Sequence, residues 1–178
     1  MERILIFVLL LASYSNLFSQ NINMEFFKGE WKGIDGNNEF QIFLKDTIYT
    51  IPVFFGGTTE SALIGAYVYK SNGNVVIDNM SELNNSHNDL IDYPIWISKS
   101  LSLGVWDYLT TNKKGERKYL SEFSKIEVIS ENSPKQIRWI INDSREQLVV
   151  TIDSDDGEDY FFPAGTSLPT NIILTKVE

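Results

Sequence analysis

Along most of this chain, short runs of alternating or β-branched residues are closed off by Asn, Asp, Gly, Ser or Pro, and helical periodicity is scarce. A chain patterned at period two in this way folds into a meandering antiparallel sheet. Phe40, Ile42 and Leu44 alternate with Gln41 and Lys45, which gives a strand one apolar face, although Phe43 adds apolar surface to the other. Thr47 to Phe55 follows with Pro52 inside it, and a residue that cannot donate to a ladder marks an edge or a bulge. Leu63 to Tyr69 meets Val75 to Ile77 through Ser71-Asn72-Gly73-Asn74, where Asn-Gly suits the two positive φ angles of a type I′ turn and predicts a hairpin. From Asn79 to Asp92 the chain turns polar and reads as an exposed loop between two halves of the sheet. Strand signals resume at Ile95 to Ile97, Leu101 to Leu109 and Lys125 to Ile129. Gln136 to Asn142 and Gln147 to Ile152 flank Asp143-Ser144-Arg145 as a second predicted hairpin, and Asn171 to Val177 forms a last strand. The expectation is an all-β fold, an antiparallel meander of about eight to ten strands that closes into a barrel and so hides its two edges.

Ahead of this pattern lies an apolar run of nine residues, Ile4 to Ala12, preceded by Arg3 and followed by Ser13, Tyr14, Ser15 and Asn16. A membrane-spanning helix needs about 20 apolar residues. A secretory signal peptide needs only about 7 to 15. Residues 1–20 are therefore expected to be a cleaved signal peptide, with processing before Gln20 or Asn21, and residues 21–178 a single domain. The expected location is periplasmic or extracellular. With no cysteine in the sequence there is no disulfide framework and no lipid-modified cysteine, so no membrane anchor is expected after processing. Stability falls to an ordinary hydrophobic core, which a domain of roughly 160 residues can build.

The formal net charge is −9 and does not change on processing, since Glu2 and Arg3 leave together. An acidic surface repels a phosphate backbone. The richest basic cluster, Lys113, Lys114, Arg117 and Lys118, is broken by Gly115 and Glu116 and reads as a solvated turn, so no nucleic-acid partner is expected.

Catalytic patterns are scarce. His87 is the one histidine, which excludes a multi-histidine metal site, and the lack of cysteine excludes thiolate ligand sets. It sits in the most polar stretch of the chain, with no Gly-x-Ser-x-Gly elbow elsewhere to supply a nucleophile. Asp153-Ser154-Asp155-Asp156-Gly157-Glu158-Asp159 places five carboxylates around a glycine. Calcium accepts such a composition, but the EF-hand spacing fails, because Pro163 stands where the closing glutamate belongs. This stretch reads as a solvated acidic hairpin tip. No metal, no cofactor and no enzymatic activity are expected.

Phe26-Phe27-Lys28-Gly29-Glu30-Trp31-Lys32-Gly33 resembles the start of a lipocalin-like barrel, where a short helical turn leads into Gly-x-Trp at the head of the first strand. The resemblance implies that Trp31, following Gly29, plugs one end of the barrel, and that Lys176 of the closing strand lies near its indole. Lipocalins carry an arginine there. The chain is closer still to a family of small secreted flavobacterial proteins of unknown function with a lipocalin-like fold. Those proteins share a Gly-x-Trp-x-Gly opening and end near Leu-Pro-Thr-x-Ile-Ile-Leu-Thr-Lys, here Leu168 to Lys176. That family implies a barrel and no activity.

Two functional expectations remain. In one, aromatic side chains facing into the barrel, namely Tyr49, Phe55, Tyr67, Tyr69 and Trp106 from a set that includes Phe54, Trp96 and Tyr108, line a pocket for a small apolar ligand. In the other, the barrel is filled by its own side chains and the loops Asn84 to Asp89 and Asp153 to Asp159 meet another exported protein. Interior volume separates the two, since a pocket smaller than about 300 Å³ holds no drug-sized ligand.

Overall fold

The computed structural model describes residues 23–50, 57–85, 87, 89–111, 117–120, 124–142, 147–149, 160–162 and 165–178. The amino-terminal apolar run, Pro52 to Phe55, Lys113 with Lys114, the Asp143-Ser144-Arg145 turn and the Asp153 to Asp159 stretch lie outside the described residues.

Twelve strands are described: β1 (Gly29–Asp35), β2 (Asn38–Thr50), β3 (Thr59–Ser71), β4 (Asn74–Asp78), β5 (Ile95–Ile97), β6 (Leu103–Thr111), β7 (Arg117–Leu120), β8 (Lys125–Ser130), β9 (Gln136–Ile140), β10 (Gln147–Val149), β11 (Tyr160–Phe162) and β12 (Asn171–Lys176). Ten of them form one sheet in the order β7-β6-β5-β3-β2-β1-β12-β9-β8, with β4 paired to β3, while β10 and β11 pair with each other. The longest ladder joins β2 to β3 without a slip from Asn38↔Ser71 to Thr50↔Thr59. At the β3–β4 turn Asn72 and Gly73 take φ of 51° and 79°, the pair of positive angles a type I′ hairpin requires.

The sheet curls strongly. β12 returns beside β1, with Trp31 opposite Lys176, and β9 and β8 follow it. β8 then reaches the residues ahead of β6, where Ser102 and Lys125 form an antiparallel bridge. Leu103 N–H donates to Ser124 O at 3.0 Å and Ile126 N–H donates to Leu101 O at 3.1 Å across the same seam. The result is an all-β antiparallel half-barrel, consistent with a lipocalin-like barrel, whose end strand bonds back onto the sheet and so loses part of its open edge.

Alternation decides the inside. Phe40, Ile42 and Leu44 of β2 and Ile172 and Leu174 of β12 are buried, joined by Ile137 and Trp139 of β9 and by Leu103 and Val105 of β6. β3 breaks the pattern, because Ala62 through Tyr67 are all buried. Its outer face is covered by a 3₁₀ turn, Met80–Asn84, whose Leu83 is buried and whose carbonyl accepts from Lys45 Nζ at 2.6 Å. The stretch from Asn79 is thus a packed cover at its start, where an exposed loop is predicted. Asn79 itself fills a gap: β4 pairs with Val68 to Ser71 and β5 with Leu63 to Gly65, which leaves Tyr67 between them. Tyr67 N–H donates to Asn79 Oδ1 at 2.7 Å, and Asn79 N–H donates back to Tyr67 O at 3.2 Å.

Two further expectations are corrected. β9 does not form a hairpin with β10, because β12 and β8 occupy its two edges, and β10 pairs with β11 instead. Lys118 does not belong to a solvated turn: it is fully buried in β7 and donates from Nζ to Gly165 O at 2.8 Å. The physical reason is shared, since edge occupancy and inward direction are set by distant strands that local composition does not report.

Candidate functional site

At the head of β1 the 3₁₀ turn Met24–Phe26 delivers the chain into Gly29, whose φ of 99° suits a residue without a side chain. Trp31, buried completely, donates from Nε1 to Phe27 O at 2.6 Å. Lys176 Nζ donates to Phe26 O at 3.0 Å and sits 5.3 Å from the Trp31 ring centroid, within cation–π range. Burial holds the Lys176 ammonium below its usual pKa, the Lys135 charge adds to this, and Glu25 opposes it. This end of the barrel is closed by indole, ammonium and main-chain carbonyls.

Inside, the aromatics meet one another. The Phe40 ring lies 5.1 Å from Trp139, 5.6 Å from Tyr67 and 6.4 Å from Tyr69, and Tyr67 lies 6.1 Å from Tyr108. Tyr67 donates its hydroxyl to Trp106 O at 2.6 Å. Such edge and tilted contacts are those of a packed core. The Trp139 indole N–H is buried without an acceptor.

Of the five aromatics read from sequence, the four described ones divide between the inner and outer faces of the sheet. Tyr67 and Tyr69 belong to the inner cluster. By the alternation of β2, Tyr49 falls on the outer face, where its hydroxyl donates to Glu60 Oε2 at 3.4 Å; burial, then the Glu60 charge, raises its pKa. Trp106 also faces outward, its ring 4.9 Å from Tyr119, and Trp96 donates from Nε1 to the Tyr119 hydroxyl over Gly104. A Cβ on Gly104 would fall 2.1 Å from that Trp96 nitrogen, so the outer aromatic layer requires glycine there. Phe55 lies outside the described residues.

At the sheet's far end Asp107 is fully buried, and its carboxylate accepts from Thr166 Oγ1 at 2.7 Å and from the Ser167 and Leu109 amides at 2.8 and 3.0 Å. Asp107 and Lys118 stand opposite each other in the β6–β7 ladder and both bind the 165–167 segment. This pair anchors the chain leading into β12. His87 rests against Tyr93 with ring centroids 4.5 Å apart and its Nε2 3.8 Å from Glu82 Oε2. Among the described residues no cluster of three His, Asp or Glu side chains is placed to hold a metal.

A cavity opens elsewhere, over the seam where β8 returns to the head of β6. It is a groove of about 790 Å³, lined by Ser100, Ser102, Ser124, Asn142, Thr170 and Asn171, with Lys125 at one side and Ile140 and Ile141 as apolar wall. Its rim is the turn Ser98 to Ser102, closed by Ser98 N–H to Ser102 O and Leu101 N–H to Ser98 O, both 3.0 Å. The hydroxyls of Ser98, Ser100 and Ser102 form a row, with Oγ separations of 2.8 and 3.1 Å. Leu101 has a φ of 61°, a left-handed conformation that costs a non-glycine residue roughly 1 to 2 kcal/mol. Its carbonyl is bonded to Ile126 and its side chain packs on the core, so the surroundings impose the strain, as they do at ligand-holding turns. Sequence reasoning placed Leu101 in a strand and missed this groove. The one visible signal is the serine at every second position, 98, 100 and 102.

No curated protein and no solved structure matches the chain. A family model, by contrast, spans the opening Gly29-Glu30-Trp31 and the strand that closes on it. The chain belongs to the family described as Family of unknown function (DUF6705), whose model matches residues 1–177.

Proposed function

We propose that this chain is an exported, non-catalytic binding protein whose half-barrel is filled by its own side chains and whose ligand or protein partner is met on the outside. One observation carries the reading: Phe40, Tyr67 and Trp139 are fully buried and in ring contact across the interior. Aromatic rings in mutual contact fill the space between them with their own atoms, which supports an interior occupied by side chains. Export rests on the Ile4 to Ala12 run and its polar follow-up, which have signal-peptide proportions. The absence of catalysis rests on the sequence, with its lone histidine and no cysteine.

A second reading has one observation in its favour. The buried Trp139 N–H lacks an acceptor, and a small ligand inside the barrel would supply one. Native mass spectrometry of the chain expressed with its export segment separates the two. The expected result is a mature protein beginning at Gln20 or Asn21 with no small-molecule adduct. An apolar adduct released on denaturation favours a ligand inside, and retention of Met1 overturns export.

A further inference from the structure

The seam groove differs from the rest of the surface in charge. The chain carries 24 acidic and 15 basic residues, yet among the described residues no Asp or Glu lines the groove, and the one described cation there, Lys125, is 2.7 Å from Glu127 Oε1. The described lining is therefore close to neutral. Ser100, Ser102, Thr170, Asn142 and Asn171 each both donate and accept, and they project from the Ser98 to Ser102 turn, the end of β9 and the head of β12. Three separate backbone elements thus converge hydroxyl and amide groups on one volume, about 790 Å³, in the range of small-ligand sites.

We infer that the groove binds a neutral, polyhydroxylated ligand, a saccharide of one or two rings. Every hydroxyl of such a ligand is also donor and acceptor, so a lining of Ser, Thr and Asn satisfies it without burying charge. Ile140 and Ile141 supply the apolar wall that the C–H face of a sugar ring needs. An anion meets one opposing charge among the described lining residues, and that charge is already paired; an apolar ligand finds two isoleucines among polar groups. The serine row adds adaptability, because either hydroxyl of each neighbouring pair can donate. Leu101, held left-handed by the Ile126 bond, fixes the turn that presents this row, so the rim is organised before ligand arrives.

The inference rests on the reading that binding takes place outside the barrel. Its test is titration of the protein, followed by NMR, with maltose, cellobiose, lactose and diacetylchitobiose, and with sodium sulfate as the anionic arm. The expected result is that at least one disaccharide binds with a Kd of about 1 mM or tighter and shifts amides of the 98–102 turn, Asn142 and Asn171. Asn142→Ala and Asn171→Ala should each weaken it by about fivefold or more, with the thermal midpoint unchanged, since both side chains are exposed. Failure of all four sugars, binding that neither variant weakens, or sulfate binding abolished by Lys125→Met would each overturn it. An apolar adduct identified by native mass spectrometry would sink the filled-barrel reading alone, since the groove takes a polyhydroxylated ligand, so the two failures are distinguishable.

Discussion

Asn79 completes a ladder that no strand reaches. Its side chain and amide bond the Tyr67 backbone between the territories of β4 and β5, and Asn79→Ala removes the Oδ1 acceptor of the buried Tyr67 N–H. A loss of about 1 to 3 kcal/mol in urea melts is expected; an unchanged midpoint would show that the backbone finds another partner. Glu39 makes a second residue-level prediction. Lys32 first, then Lys70, at 2.6 and 2.7 Å, hold its carboxyl below the usual 4.5. A carboxyl depressed on folding contributes stability above its unfolded value that is lost as pH falls through the folded one. Stability should therefore fall more steeply below about pH 4.5 in the parent than in Glu39→Gln, and identical acid profiles would contradict the pairing. Neither residue was legible beforehand. Asn72 and Gly73 were, because a type I′ turn is written in two neighbouring residues, whereas Asn79 and Leu101 take their roles from strands far away in the chain.

Among the elements, period-two alternation located β2, β8, β9 and β12 and told which side of β2 faces inward. The Leu63 to Tyr69 run located β3 as well, but alternation could not tell which of its sides faces inward, since a strand covered on both faces has no polar side to alternate, and Ala62 through Tyr67 are buried in succession. It passed over β7 because Arg117 and Lys118 look like solvent residues, although Lys118 is buried with its ammonium on a carbonyl. The Asp143-Ser144-Arg145 stretch has turn chemistry, but pairing is decided by which edges are free, and both edges of β9 are taken. Instead, β10 pairs with β11. The acidic Asp153 to Asp159 stretch, outside the described residues, is expected to bind no calcium. Millimolar calcium should move the thermal midpoint no further than matched magnesium, whereas a site with free calcium about 100-fold above its Kd adds roughly 2.7 kcal/mol. A calcium-specific rise removed by Asp155→Asn with Asp159→Asn would establish a site.

For the molecule as a whole, function depends on where binding space lies. The sequence led to a curled all-β barrel and to aromatics as pocket or core, but alternation could not choose between those roles. The ring contacts of Phe40 support core, and among the described residues an open volume lies over the seam between β6 and β8, a place defined by residues some 25 to 70 positions apart, from Ser100 through Lys125 to Asn171. The most direct measurement is titration of parent and Phe40→Ala with an apolar fluorescent probe. Removing the Phe40 ring should cost about 3 to 5 kcal/mol and leave an apolar cavity. The filled-barrel account predicts saturable one-to-one probe binding by Phe40→Ala and none by the parent. Saturable one-to-one binding by the parent, undiminished by any change at the seam, would contradict it and return the ligand to the barrel interior.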